Sequence, residues 1–195
     1  EAPVPVVDVE HETFHLGGAS NVANNLKSLG ATPLMLGVIG DDNSGKLLLD
    51  IVRGSGLETT GIIADAGRPT TVKTRVIGNN QQIVRLDREV KTAVDNSMAQ
   101  KLQQVLEEHR DTLAGIILQD YNKGVITPQV IQQTIAFATA YGIPVHVDPK
   151  FQNFFEYRGV TLFKPNRKET QDAIGFALHN DDDVIRAGKV LLERL

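Results

Sequence analysis

The sequence contains no cysteine among its 195 residues, which excludes disulfide bonds and thiolate metal sites and agrees with a reducing compartment. No apolar run approaches the roughly 18 residues that a membrane-spanning helix requires, and no signal peptide is visible at the start. The five histidines include no pair at the spacing of a helical zinc site. We therefore expect a cytoplasmic protein with no zinc site and no membrane association.

An excess of positive charge is also missing. The net charge is −4 at pH 7, which does not suggest a nucleic-acid or anionic-membrane partner. The composition, 41% hydrophobic and 23% charged, is typical of a globular domain with a substantial core. Because the chain starts at Glu1 rather than at methionine and stops inside an apparent helix at Leu195, we expect it to be part of a longer protein.

A complete phosphate-binding loop is missing too. The segment from Gly40 to Lys46 follows a predicted strand and nearly matches a P-loop, but Leu47 stands where the motif needs a serine or threonine for Mg²⁺. Two aspartates in the segment would also repel phosphates. Neither the Gly-x-Gly-x-x-Gly pattern of dinucleotide sites nor the Gly-x-Ser-x-Gly pattern of serine hydrolases occurs.

What the sequence does contain begins with a glycine pair. Gly17 and Gly18 lead into an amphipathic pattern that predicts a helix from about Ala19 to Leu29. Glycine lets a ligand approach the backbone, and the free N–H groups of a helix start favour polar or anionic partners. Asn21 adds an amide that both donates and accepts hydrogen bonds. The pattern suits a bound polyol, with a tight turn before an ordinary surface helix as the alternative.

The middle of the chain predicts a small β lid. Strand-like runs at about residues 70–77 and 81–88 flank a short loop and indicate a hairpin, which a β-type run over about residues 3–10 could join. Such a small sheet is not stable alone, so we expect it to pair with the lid of a second subunit in a homodimer. The hairpin carries the cations Lys73, Arg75, Arg85 and Arg88. These form either a solvated basic face or a surface for an anionic substrate.

From Asp95 onward, predicted helices alternate with short apolar strands, which indicates a parallel sheet. Ligands of such sheets bind outside the carboxyl ends of the strands. Three successive strands end in polar residues that we expect at one edge: Asp120, Lys123, Asp148, Lys150, Asn166 and Glu169. Asn166 and Glu169 also fit a helix capping box. Acids interleaved with lysines suit Mg²⁺ bound together with phosphates.

Together these residues resemble the ribokinase-type (pfkB) sugar kinases. Gly17-Gly18 with Asn21 resembles the amino-terminal signature of that family, and Asn166-x-x-Glu169 resembles its Asn-x-x-Glu motif. Five segments are similar, more narrowly, to members that act on heptose 7-phosphate: residues 1–7, 17–23, 80–87, 120–124 and 148–150. The resemblance spans nearly the whole chain.

The resemblance implies an α/β fold: a three-layer α/β/α ribokinase-like domain with a mainly parallel sheet and a small β lid, of which residues 1–195 form an incomplete part. It also implies ATP- and Mg²⁺-dependent phosphorylation of the C1 hydroxyl of heptose 7-phosphate, in the synthesis of ADP-heptose for lipopolysaccharide. The alternatives are another pfkB-type sugar-phosphate or nucleoside kinase, and a non-catalytic sugar-binding regulator of the same fold.

The resemblance finally implies a role for each candidate residue. The substrate would contact Gly17, Gly18, Asn21, Lys73, Arg75, Arg85, Asp120 and Lys123. The nucleotide would contact Lys150, Asn166 and Glu169, and Mg²⁺ would be held by Asp148 and Glu169. The catalytic aspartate of the family lies in a Gly-Ala-Gly-Asp motif that these residues do not contain, and the first strand of the family is not found before Glu1. We therefore expect residues 1–195 alone to lack kinase activity.

Overall fold

A computed structural model describes residues 6–195 of the chain. The helices are α1 Gly18–Ser28, α2 Asn43–Gly54, α3 Asn96–His109, α4 Pro128–Tyr141, α5 Arg167–Ile174 and α6 Asp181–Arg194, with short 3-10 turns at Arg110–Thr112 and Phe151–Asn153. The strands are β1 Gly37–Gly40, β2 Ile62–Asp65, β3 Val72–Gly78, β4 Gln81–Arg88, β5 Ile116–Gln119, β6 Val145–Asp148 and β7 Leu162–Phe163. None of the helices between residues 6 and 195 has the length and apolar character of a membrane span.

Five of the six helices between residues 6 and 195 follow a residue whose side chain caps a free backbone N–H group, and α1, which follows Gly17, is the exception. Asp42 accepts a hydrogen bond from the Gly45 N–H at 2.8 Å, and Asp95 accepts one from Met98 at the same distance. α4 has Thr127 as its cap and proline as its first residue, and it ends at Gly142, whose φ of 67° is left-handed. These local signals explain why the predicted helices are confirmed.

The parallel strands form two sheets within residues 6–195. β1 pairs with β2, and β5, β6 and β7 pair in that order. The larger sheet packs against α4 through buried apolar side chains, which include Leu118, Ile131, Phe137, Val145 and Val147. Fully burying a side chain of this size contributes about 1.5–3 kcal/mol. The α/β class with mainly parallel strands is confirmed, and the strand ends share one edge because parallel strands run the same way.

The β3–β4 hairpin is a separate antiparallel sheet. Its turn residues Asn79 and Asn80 have φ values of 50° and 59°, a conformation that asparagine tolerates better than most residues. The register places Lys73 opposite Asp87 and Arg75 opposite Arg85 on one face. The opposite face carries Thr74, Val76, Val84 and Leu86. One face of the hairpin is therefore charged and the other is largely apolar.

The predicted third lid strand, over about residues 3–10, is wrong where the structure describes it. Residues 6–10 form no strand, and residues 3–5 lie outside the described residues. Val6 is 83% exposed and Val9 is 69% exposed. An alternating apolar sequence is stable as a strand only where it pairs with an edge and covers a surface, and these valines do not cover one.

Candidate functional site

The glycine pair forms an open start to α1. Gly17 is the extended residue before the helix, and Gly18 has a φ of 54°, which favours glycine. A Cβ added to Gly17 would meet no heavy atom within 4 Å, whereas one on Gly18 would lie 3.5 Å from the Tyr121 ring. Asn21 is exposed one turn along. A small polar ligand can therefore reach backbone N–H groups beside an aromatic ring.

The loop that follows β5, residues 120–124, is anchored by a buried carboxylate. Asp120 is 1% exposed and accepts three hydrogen bonds: from the Asn122 N–H at 2.7 Å, the Tyr157 hydroxyl at 2.8 Å and the Asn153 amide at 3.3 Å. Burial, followed by the Asp120 charge and hydrogen bond, raises the pKa of Tyr157, so its hydroxyl stays protonated and donating.

This position of Asp120 differs from the substrate contact predicted from the sequence. Because only 1% of Asp120 is exposed, a sugar hydroxyl has no access to its carboxylate in this structure. The loop itself turns outward, because Tyr121 is 42% exposed and Lys123 reaches the lid. Asp120 therefore holds in place the residues on either side of it.

The end of β6 carries an ionised carboxylate between polar neighbours. Asp148 accepts a hydrogen bond from Gln119 at 2.6 Å and an ion pair from Lys164 at 2.8 Å. Burial alone would raise the pKa of Asp148, but the hydrogen bonds from Lys164 and Gln119 outweigh it and the pKa is lowered. Asp148 is therefore charged at neutral pH at the carboxyl edge of the sheet.

A second ion pair joins the loop after β6 to the start of α5. The Lys150 ammonium contacts Glu169, and this contact raises the pKa of Lys150, with smaller effects from Asp148 and Tyr121. Glu169 also closes the predicted capping box: its carboxylate accepts the Asn166 N–H at 2.8 Å, and the Asn166 side chain accepts the Glu169 N–H at 2.9 Å. The capping box and the approach of Lys150 to Asp148 and Glu169 are confirmed.

The lid hairpin carries a network of charges at its base. Lys73 donates to Asp87 and to Glu89, both at 2.9 Å, and Lys123 contacts the same Glu89 oxygen at 2.6 Å. Arg85 binds Asp87 at 2.9 Å. The hydrogen bonds to Asp87 and Glu89 raise the pKa of Lys73, and those from Lys123 and Lys73 lower the pKa of Glu89. The lid and the loop after β5 are thus joined by one carboxylate.

Arg75 is the cation of the lid that remains open. It is exposed, and within residues 6–195 it makes no ion pair, although it lies directly opposite Arg85 in the hairpin. Like charges directly opposite one another destabilise an antiparallel pair. Arg88 lies on the other face and pairs with Asp42 at 3.1 Å. Arg75 is therefore available to an external anion.

The donor set at the strand ends suits Mg²⁺ with phosphates. In the described part of the chain, no three acidic or histidine side chains gather into a metal cage. Mg²⁺ characteristically takes only one or two carboxylates and fills its other positions with water and phosphate oxygens. Asp148 and Glu169 are two such carboxylates, and Lys150 and Lys164 beside them can neutralise phosphate oxygens.

A family model described as pfkB family carbohydrate kinase matches residues 2–195 of the chain. The chain belongs to this family.

Curated relatives of this pfkB kinase are similar over almost all of its residues. The bifunctional protein HldE of Geobacter sulfurreducens is 46% identical over 193 residues, which are 99% of this chain and 39% of the relative. The bifunctional protein HldE of Helicobacter pylori strain P12 is 40% identical over 193 residues, which are 99% of this chain and 42% of the relative. The chain thus spans about two fifths of the length of the curated relatives it matches.

Solved structures confirm the fold of this pfkB kinase. The tetrameric inhibited form of phosphofructokinase-2 from Escherichia coli has a TM-score of 0.72 at 18% identity, covering 98% of this chain and 63% of the other. A possible 1-phosphofructokinase from Thermotoga maritima has a TM-score of 0.70 at 15% identity, covering 100% of this chain and 63% of the other. At these identities the likeness shows the ribokinase-like fold alone.

Two residues that organise the site were not singled out from the sequence. Glu89 joins Lys73 to Lys123, as described above. Arg68 has only 8% of its side chain exposed; it pairs with Asp65 at 3.1 Å and donates to the Thr92 carbonyl at 3.0 Å. Apart from the Arg68–Asp65 pair, these contacts join segments far apart in sequence, so no local pattern marks them. The only signal available was an acid directly after the basic hairpin.

Proposed function

We propose that residues 1–195 are part of one ribokinase-like domain that phosphorylates the C1 hydroxyl of heptose 7-phosphate to heptose 1,7-bisphosphate, with ATP, in ADP-heptose synthesis. One observation carries the proposal: the loop of residues 120–124 lies beside the start of α1, the end of β6 and the lid, which would bind the sugar, the nucleotide and the distal phosphate. The Tyr121 ring lies beside Gly18, the Asp120 N–H donates to the Asp148 carbonyl at 3.1 Å, and Lys123 binds Glu89 at the lid. The sugar, the nucleotide phosphates and the distal phosphate would lie around this loop.

Each group of residues would bind a different part of the reactants, according to its charge. Backbone N–H groups at Gly17 and Gly18, with the Asn21 amide, would hold sugar hydroxyls. Lys150 and Lys164 would neutralise nucleotide phosphates. Asp148 and Glu169 would hold Mg²⁺, which would supply positive charge to offset that of the phosphates. Catalysis of this kind depends on positioning and charge neutralisation, because the substrate hydroxyl is itself the nucleophile.

The lid would recognise the phosphate that the sugar already carries. Lys73, Arg75, Arg85 and Lys123 are cations on or beside the charged face of the hairpin. Arg75 has no ion pair within residues 6–195, so an anion can bind there without breaking one. A phosphorylated sugar satisfies such a face better than a neutral sugar or a nucleoside does.

The test is a substrate panel on the full-length protein. Heptose 7-phosphate, fructose 6-phosphate, ribose and adenosine would each be incubated with ATP and Mg²⁺, and ADP release and the ³¹P spectrum of the product measured. We expect the highest kcat/KM for heptose 7-phosphate, with a new phosphate at C1. Preference for another acceptor would refute the substrate, and no turnover with any acceptor would refute the kinase assignment and favour a sugar-binding regulator.

A matched pair of variants tests the nucleotide side. Lys150→Met removes the ammonium that we place at the nucleotide phosphates, so kcat/KM should fall by about 100-fold or more, as when an electrostatic contact to a reacting group is lost. Lys101→Met alters an exposed lysine of α3 and should leave kcat/KM within about twofold, since surface changes away from the site are nearly neutral. Equal effects of the two variants would contradict the role of Lys150.

We also propose that the full-length protein is a cytoplasmic homodimer that pairs through the lid. The apolar face of the hairpin supports this, because Val84 is 41% exposed and Leu86 is 58% exposed. A two-stranded hairpin is marginally stable alone, and covering this face would stabilise it. Light scattering of the full-length protein should give the mass of two chains; a monomer would contradict the proposal, and Leu86→Lys should shift the protein toward monomer.

A further inference from the structure

Glu89 stands where the lid meets the body of the protein. It directly follows β4, and its Oε2 accepts from Lys73 of β3 at 2.9 Å and from Lys123 of the loop after β5 at 2.6 Å. Its Oε1 lies 3.9 Å from the Lys91 ammonium. Only 16% of the Glu89 side chain is exposed. One carboxylate therefore holds cations from different elements in one place.

The cluster around Glu89 has an excess of positive charge, and some of its ammonium donors are not used in ion pairs. Its cations are Lys73, Lys91, Lys123 and Arg85, and its carboxylates are Asp87 and Glu89. The cations therefore exceed the carboxylates by two charges. Each ammonium has three donors, of which Lys73 uses two and Lys123 uses one in these ion pairs. A phosphate monoester carries about −1.5 to −2 at neutral pH and would balance this excess.

Without Glu89 the two lysines would not stay together. Lys73 would still be held by Asp87, but the 2.6 Å contact that holds Lys123 would be lost. Two ammonium groups repel one another, and in contact with water each would move toward solvent. A carboxylate at this point therefore does more than reduce the charge of the cluster, because it sets the distance between the lid lysine and the loop lysine.

We infer that Glu89 is a positioning residue that gathers Lys73 and Lys123 into one seat for the distal phosphate of the sugar substrate. The inference rests on the proposed function, since it concerns the same substrate. It makes Glu89 a determinant of preference for phosphorylated over unphosphorylated sugars. Glu89 acts through the lysines and does not itself contact the substrate.

The test compares variants of the full-length protein in steady-state kinetics. Glu89→Gln keeps the shape of the side chain and removes its charge, so the KM for heptose 7-phosphate should rise about tenfold, which corresponds to about 1.4 kcal/mol. The kcat and the KM for ATP should stay within about twofold, because the lost interaction is the same in the ground and transition states. Activity with unphosphorylated heptose should not change, which also shows that the variant is folded at the assay temperature. Glu89→Asp keeps the charge and should recover part of the loss.

The matched control is Glu58→Gln. Glu58 is exposed and precedes β2, so it lies at the end of the strands opposite to the site, and its variant should match the wild type. If the wild type is active and Glu89→Gln leaves the KM for heptose 7-phosphate unchanged or lowers it, Glu89 only reduces the positive charge of the cluster, and the inference is wrong. An equal loss with phosphorylated and unphosphorylated heptose would show a purely structural role. If the wild type phosphorylates no sugar phosphate, the proposed function fails first and the inference fails with it.

Discussion

Removing one buried hydroxyl should loosen the loop of residues 120–124, which contacts Asp148 at the end of β6 and Glu89 at the lid. Tyr157 is fully buried, and its hydroxyl donates to Asp120 at 2.8 Å. Its ring packs beside Phe163 with the ring centroids 6.1 Å apart. Tyr157→Phe keeps that ring and deletes only the donor. Any effect of this variant therefore reports on the hydrogen bond to Asp120.

The size of the free-energy loss depends on the hydrogen bonds that Asp120 keeps in the variant. A hydrogen bond to a charged group contributes about 1.5–3 kcal/mol. In Tyr157→Phe the carboxylate keeps the Asn122 N–H at 2.7 Å and the Asn153 amide at 3.3 Å, so it is not wholly unpaired. We therefore expect a loss of about 2 kcal/mol, in the lower half of that range.

Hydrogen exchange of the β5 and β6 amides in the full-length protein measures this loss locally, without assuming that the whole protein unfolds in two states. A loss of about 2 kcal/mol predicts exchange about 30-fold faster at these amides. Tyr141→Phe is the matched control, because Tyr141 is 49% exposed and its hydroxyl makes no hydrogen bond within residues 6–195. It should change the opening free energy by less than about 0.5 kcal/mol.

The refuting results are specific. If Tyr157→Phe affects exchange no more than Tyr141→Phe does, the hydroxyl does not hold the loop. A double-mutant cycle with Asp120→Asn gives a second check, because residues in direct contact show an interaction energy of about 0.5 kcal/mol or more. If the losses at Tyr157 and Asp120 are fully additive, the two side chains act independently and the anchoring argument is wrong.

Three further predictions concern stability. Gly40→Ala should destabilise the protein by about 1–3 kcal/mol in thermal unfolding, because a Cβ there would lie 2.5 Å from the Arg68 carbonyl oxygen. Gly37→Ala is the control and should not destabilise it, because a Cβ there would meet no atom within 4 Å. Equal effects of the two variants would contradict this prediction. Asn166→Ala should cost about 1 kcal/mol and speed exchange at the α5 amides, and unchanged exchange would show that the capping box is dispensable. The pKa of Tyr157 is raised in the folded protein, so the neutral hydroxyl contributes to the free energy of unfolding below the unfolded pKa near 10.0. This contribution should be lost as the pH rises above that value. The same alkaline loss of stability in Tyr157→Phe would refute this.

Elements with local signals were predictable from the sequence, and those that depend on distant partners were not. The helices capped by Asp95 and Thr127 begin where the capping residues predict. β2 was missed, because Ile62–Asp65 is four residues long and is formed only by pairing with β1. The valines of residues 6–10 show the converse error, since a β-type pattern without a partner forms no strand. Local pattern predicts which conformation is available, and tertiary pairing decides whether it is used.

The candidate site divides in the same way. The rule that strand ends meet at one edge correctly brought Asp148 and Lys150 near Glu169. Nothing local distinguishes the buried Asp120 from an exposed acid, because its burial depends on Tyr157, 37 residues away. The Glu89–Lys123 ion pair likewise joins two loops that the fold alone brings together. Residue type and strand position therefore locate a site, but they do not show which of its charges are already paired.

The segment from Gly40 to Lys46, which nearly matches a P-loop, needs its glycines for close packing against the lid stem rather than for binding a phosphate. A Cβ on Gly40 would lie 2.6 Å from the Thr70 nitrogen, and one on Gly45 would collide with the Gly40 carbonyl. Thr70 donates its N–H to Asp42 at 3.1 Å, and its hydroxyl accepts the Gly40 N–H at 2.9 Å. Arg88, which pairs with Val72 at the base of the hairpin, binds the same Asp42 oxygen at 3.1 Å. The space beside this backbone, which a P-loop would leave open for a phosphate, is therefore occupied by the stem of the lid. These contacts attach the lid to the body of the protein.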